Sequence, residues 1–163
     1  MEVERDPVFT LTRYSAQAYT SRLHLTFPAA VDQINPAVER ALSFAHRQGC
    51  IAEAEFEVRL ALQEAIANAV VHGCKHDRDK QVHCLLACDD RELLIVVRDP
   101  GNGFDPNKVP CPTDDDRLLE DHGRGVELMR RLMDEVHFER GGSEAHMIKR
   151  FRPDNGLNGT GQA

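Results

Sequence analysis

The chain has 163 residues, a length that fits one domain and leaves little room for a second independent core. Hydrophobic residues make up 41% and charged residues 29%, an ordinary globular composition, and the net charge of −7 argues against a protein whose main work is coating nucleic acid or an anionic membrane. No apolar run reaches the roughly eighteen residues of a membrane span and no basic-then-apolar leader opens the chain, so a cytosolic protein is expected.

Residues 1–19 show no firm period and read as an N-terminal extension. The first strand is Arg22–Phe27, alternating and stopped by Pro28. From Asp32 to Gln48, Ile34, Val38, Ala41, Leu42 and Ala45 recur at three- and four-residue steps before Gly49, which predicts an amphipathic helix. A second helix is predicted over Glu53–His72, where Val58, Leu60, Leu62, Ile66, Val70 and Val71 make most of the circumference apolar, so it has to pack on more than one side. Gln81–Ala87 and Glu92–Arg98 read as a hairpin. The stretch 99–122 has no sustained period and, at that length, reads as a functional loop. Gly123–Asp134 gives a third helix, 135–139 and 144–151 give two closing strands around Gly141-Gly142, and 153–163 reads as a disordered tail. Strand, helix, helix, strand, strand, loop, helix, strand, strand lacks the regular alternation of a doubly wound sheet. It predicts an α+β, two-layer α/β sandwich: a mixed, mostly antiparallel sheet with three helices on one face.

Five cysteines, at 50, 74, 84, 88 and 111, contain no CxxC pair. His72, Cys74, His76, His83, Cys84 and Cys88 are dense enough to raise zinc, but their spacing matches no common site and Cys84 and Cys88 fall in or beside a strand, so core thiols and loop histidines are the preferred reading.

Three features carry chemistry. Glu64 and Asn68 interrupt an apolar helix four residues apart and share a face; Arg59 and Gln63 make a second polar stripe roughly 140° away. Either stripe can be a solvent edge, and the helix alone leaves the choice open. After the apolar strand Leu93–Val97 comes Asp99-Pro100-Gly101-Asn102-Gly103-Phe104: a carboxylate able to accept from the amino group of a base, with glycines that permit close backbone approach, or else a common Asp-Pro-Gly turn. No Walker Gly-Lys-Ser/Thr and no third glycine for a dinucleotide fingerprint are present. Finally, Gly123-Arg124-Gly125 opens a helix, where free N–H groups, the helix dipole and a guanidinium favour phosphate.

In this order the three motifs resemble the histidine-kinase-like ATPases shared by DNA gyrase, heat-shock chaperones, histidine kinases and mismatch-repair proteins, and within them the bacterial anti-sigma-factor serine kinases. The matching residues are Glu64-Ala65-Ile66-Ala67-Asn68-Ala69 with His72-Gly73, Asp99-Pro100-Gly101-Asn102-Gly103-Phe104-Asp105-Pro106, Gly123-Arg124-Gly125, Leu132-Met133-Asp134-Glu135-Val136, and Gly141-Gly142-Ser143 with Met147-Ile148-Lys149-Arg150. The resemblance implies a Bergerat ATP-binding fold over residues 20–152 with a mobile lid at 107–122. It implies Glu64 as general base, Asn68 as Mg²⁺ ligand, Asp99 on the adenine amino group with Gly101 and Gly103 making room, and Gly123, Arg124 and Gly125 on phosphate. Ser143 would line the adenine side, where the family more often has Thr. The implied function is an ATP- and Mg²⁺-dependent serine kinase and anti-sigma factor that phosphorylates an antagonist protein, as a homodimer. The alternatives are an ATP-binding regulatory module without catalysis and a detached catalytic domain of a two-component histidine kinase. The chain offers no phospho-accepting histidine helix, which disfavours an autonomous sensor kinase. The charge is concentrated in the proposed lid region: residues 99–122 hold seven acids against Lys108 and Arg117, leaving only −2 for the remaining chain.

Overall fold

In the computed structural model, residue 9 and residues 19–103 and 121–151 are described. The order is β1 (Ser21–Pro28), α1 (Val31–Arg47), α2 (Glu55–Asn68), β2 (Gln81–Cys88), β3 (Glu92–Arg98), α3 (Asp121–Leu132), β4 (Glu135–Glu139) and β5 (Glu144–Arg150). The strands form one sheet in the order β1-β2-β3-β5-β4, and every neighbouring pair is antiparallel, so the mixed component allowed by the sequence is absent among the described strands. The two-layer α+β architecture is as expected. The extension 1–19, apart from Phe9 and Tyr19, the lid apart from its last two residues, and the tail 153–163 lie outside the described residues.

The helices cover one face. Inward residues of β1 to β3 (Leu25 and Phe27; Val82, Cys84 and Leu86; Leu93, Ile95 and Val97) meet α1 through Val38, Ala41 and Leu42 and α2 through Val58, Leu62 and Ile66. Helix α2 is packed against both α1 and α3, which is why so little of its surface needs to be polar. The outer face is also apolar. Leu85, Ala87, Leu94, Val96 and Ile148 are buried in a second cluster that includes Phe9 and Tyr19, and the Tyr19 hydroxyl donates to Glu92 Oε1 at 2.6 Å. Both faces of β2 and β3 being covered explains why Leu93–Val97 is continuously apolar instead of alternating.

Two boundaries differ from expectation in ways that matter for the site. The expected helix 53–72 is a short 3₁₀ turn (Ala52–Ala54), then α2, then a widened π turn over Ala69–Gly73, closed by Cys74 N–H donating to Ala69 C=O at 2.8 Å. Single π turns of this kind insert one residue and re-aim side chains without ending the helix. Helix α3 is described from Asp121, so Gly123 and Gly125 lie within it instead of preceding it, and residues 121–122 of the expected lid are helical.

Leu62 is fully buried where α2 meets the sheet and Gln63 beside it is exposed. Leu62→Ala is expected to lower the unfolding free energy by about 3 kcal/mol, and Gln63→Ala by less than about 0.5 kcal/mol, in urea titrations followed by circular dichroism.

Candidate functional site: a carboxylate-ended cleft between helices and sheet

The side-chain choice on α2 resolves geometrically. Gln63 is exposed and Arg59 is ion-paired to Glu39 and Glu55, so that stripe is the solvent edge. Glu64 and Asn68 are half-buried and face α3: a Cβ added to Gly125 would lie 2.8 Å from Glu64 Oε2 and 3.2 Å from Asn68 Nδ2. The first turns of α3 therefore rest on the Glu64–Asn68 pair with glycine as the spacer, and a side chain at 125 would force them apart.

From Asn68 a cleft runs between α2 and the sheet. Its walls are mostly apolar, from Ala65 and Ala69 on α2, Val97 on β3 and Met129 on α3, with Phe138 and Ala145 beyond; Ser143, Gly103 and Gly142 close the far side and Asp99 closes the end. This is a slot for a flat, largely apolar group with one polar edge.

Asp99 is the electrostatic centre of that slot. It caps the end of β3, its own N–H donates to Ser143 C=O at 3.0 Å, and its Oδ1 accepts from Gly101 N–H at 2.7 Å. The backbone presses in around the carboxyl group. A Cβ on Gly73 would fall inside the Asp99 carboxyl, and one on Gly101 would strike the Gly73 carbonyl and come 2.7 Å from Asp99 Oδ1. Burial pushes the Asp99 pKa up to about 6, against the opposing pull of the Gly101 N–H and, more weakly, of Lys80 and Arg98. The group is thus an ionisable acceptor whose charge is expensive until a donor arrives.

The predicted residues fall into two sets. Asn68, Asp99, Gly103 and Ser143 line the cleft itself. Gly101 buttresses Asp99; Glu64 and Gly125 meet where α2 and α3 touch. Gly123 is half-buried, and Arg124 points to solvent instead of into the cleft. The Ser143 hydroxyl is turned away, donating to Arg140 C=O at 3.0 Å, so its contribution to the wall is its small size. His72 and Gly73 were legible only as part of the α2 motif. Nothing in the one-dimensional pattern marks the π turn that brings them to the cleft, and Met129 and Phe138 read simply as core. Of the cysteine-and-histidine cluster only the cysteines enter the core, while His72 and His83 are half-buried and His76 is exposed; burial pushes Cys74 up to about 11 and Cys84 to about 12, and among the described residues no three or more His, Cys, Asp or Glu are grouped to hold a metal ion.

Residues 27–149 match the family described as the histidine kinase-like ATPase domain. The chain belongs to that family. Relatives carry more specific names. An anti-sigma F factor of Clostridium acetobutylicum is 32% identical over 136 residues, 80% of this chain and 94% of that protein. An anti-sigma F factor of Shouchella clausii is 28% identical over 115 residues, 69% of this chain and 68% of its own. The serine-protein kinase RsbW of Bacillus subtilis is 31% identical over 103 residues, 58% of this chain and 63% of its own. Among solved structures, one of the RsbU and RsbW domains of Rv1364c from Mycobacterium tuberculosis superposes with a TM-score of 0.52 at 18% identity over 82% of this chain. That likeness concerns the fold, and the chain spans about a third of that longer protein. No helix of the described residues is long and apolar enough to cross a membrane.

The raised Asp99 pKa fixes a pH dependence. A carboxyl whose folded pKa lies above its unfolded value costs the fold nothing below about 4, and progressively destabilises it as pH rises through about 6. Asp99→Asn is therefore expected to stabilise the ligand-free protein by up to about 3 kcal/mol at neutral pH, with the gain disappearing as pH falls toward 4, in urea titrations across that range.

Proposed function

We propose that this protein is an ATP-dependent serine-protein kinase that doubles as an anti-sigma factor, binding a sigma factor and phosphorylating its antagonist protein in a partner-switching cycle. The observation that carries the reading is the seating of Gly125 of α3 on Glu64 and Asn68, with Asn68 lining the same cleft as the buried carboxylate of Asp99. It places a candidate acceptor for a base and the N-terminal part of a helix at one cleft.

The residues present fit ATP. The slot between Ala65, Ala69, Val97 and Met129 takes the adenine plane, and Asp99 accepts from its amino group, a contact that offsets the cost of holding that carboxylate ionised. Gly73 and Gly101 hold Asp99 in place by leaving no slack around it. The phosphates lie toward the N-terminal end of α3, where the helix dipole and the backbone at Gly123–Gly125 favour negative charge and Arg124 adds a cation from the solvent side. Asn68 fits a Mg²⁺ carried in with the nucleotide, an ion that takes few protein ligands and neutralises phosphate charge when bound.

Glu64, on the same face of α2 as Asn68, serves as the general base. Its carboxylate takes the proton of a seryl hydroxyl on the antagonist as that oxygen bonds to the γ-phosphorus; the bond from the γ-phosphorus to the bridging oxygen breaks and ADP leaves. The names borne by its relatives support the kinase and anti-sigma parts of this reading. The nucleotide-loaded surface is shared by sigma factor and antagonist, and the chain works in the cytosol as a homodimer.

Glu64→Gln is expected to bind ATP with affinity within about threefold of the parent while phosphoryl transfer falls by about 10²- to 10⁴-fold, and Asn68→Ala to lose the Mg²⁺-dependent part of ATP binding. Isothermal titration and transfer of radiolabelled phosphate to the host's antagonist protein measure both. The product resists acid if it is phosphoserine. Unimpaired transfer by Glu64→Gln removes the base assignment.

A further inference from the structure

On the opposite side of the sheet from the cleft, Asp99 also borders a second, more open groove, lined by Asp79, Lys80, Gln81, His83, Arg98 and Pro100. Its cations are set by the backbone. Lys80 stands at the entrance to β2, its N–H donating to Asp77 C=O at 3.0 Å and its C=O accepting from Ala29 N–H at 2.9 Å. Arg98 ends β3 and is paired in register with His83 on β2 and with Glu144 on β5. His83 is engaged with His24 Nε2 at 3.3 Å and with the Thr26 hydroxyl at 3.1 Å, and Glu144 with His146 Nε2 at 2.6 Å.

Lys80 and Arg98 stand apart from the other half-buried cations among the described residues, Arg59 and Lys149. Arg59, Arg78, Arg131 and Arg150 are ion-paired and the Lys149 ammonium donates to Leu132 C=O. The side chains of Lys80 and Arg98, both half-buried, form no ion pair or hydrogen bond with any described residue. Two partly desolvated cations that border one open groove, within ion-pairing distance of no described acid although Asp79 and Asp99 also line it, leave a place for an oxyanion, and a guanidinium beside an ammonium suits phosphate or carboxylate oxygens.

We infer that the Lys80–Arg98 groove is an oxyanion-binding site for phosphate or for the acidic side chains of a protein partner, and that its occupancy weakens nucleotide binding across the sheet through Asp99. The linkage is electrostatic. The positive charges of Lys80 and Arg98 favour the ionised form of Asp99, and an anion seated between them offsets that support, so the carboxylate that accepts from the adenine amino group becomes harder to maintain. By reciprocity ATP weakens anion binding by the same factor. The coupling rests on the ATP reading given above; the anion site does not.

The test has two parts. In nucleotide-free protein, inorganic phosphate and, separately, a short polyglutamate peptide are titrated while amide and arginine side-chain NMR signals are followed. Saturable shifts at Lys80, His83 and Arg98 that vanish in Lys80→Ala/Arg98→Ala support the site. Tighter binding of the peptide assigns it to a partner's acidic segment, and equal or tighter binding of phosphate to the free ion. Shifts that do not saturate, or that persist in the double variant, overturn it. In the second part, ATP affinity is measured at constant ionic strength with chloride replaced by the probe. The parent is expected to lose about three- to tenfold in affinity and the double variant less than about twofold. An equal loss in both places any competition at the phosphate end of the cleft and overturns the coupling. Failure of ATP to bind at all overturns the proposed function instead and leaves the nucleotide-free titration to decide the groove.

Discussion

The site is organised around a carboxylate held where it is costly to be charged. Asp99 closes the cleft at the end of β3, with the backbone of Gly73 pressed against it from the π turn and that of Gly101 from the following loop. Neither glycine can gain a Cβ without displacing the carboxyl group. That requirement ties three separated stretches of chain together: the end of α2 must widen to deliver Gly73, β3 must stop at Arg98 so that Asp99 turns inward, and the β4–β5 turn must supply the Ser143 carbonyl that fixes the Asp99 backbone. A small cost in native stability is thereby exchanged for a preorganised acceptor, a common arrangement at binding sites.

Much of this was legible in the sequence because it depends on local chemistry. Period 3.6 over 32–48 and over the stretch beginning at Glu53 gave both helices, and the two polar interruptions of α2 gave Glu64 and Asn68. What the helix pattern left open was which polar stripe faces water. That is a tertiary question, decided by α3 seating on Glu64 and Asn68 while Arg59 turns to Glu39 and Glu55. The π turn was illegible for another reason. One inserted residue changes no composition and no apolar spacing long enough to count, so the apolar pattern predicts a regular helix through to His72. The outer face of the sheet was missed because Phe9 and Tyr19 lie in a stretch with no period, and tertiary contacts alone assign them to the cluster with Leu85, Leu94 and Val96.

Charge is likewise divided by position. The chain is acidic as a whole, yet its uncommitted, half-buried cations among the described residues gather on the far side of the same strand end that carries Asp99. One carboxylate therefore faces an apolar slot on the helix side and a cationic groove on the other. The sheet is one layer thick at that point, so charges placed in the groove act on the Asp99 end of the cleft at short range.

In the proposed function, the adenine amino group relieves the burial of Asp99. The most direct measurement is the titration of the Asp99 Cγ resonance by carbon-13 NMR, in ligand-free protein and again at saturating ATP and Mg²⁺. The account predicts a midpoint near 6 without ligand that moves downward when ATP binds, because the bound amino group favours the ionised form. A midpoint near 4 in the free protein, or one that ATP leaves unmoved, would contradict it.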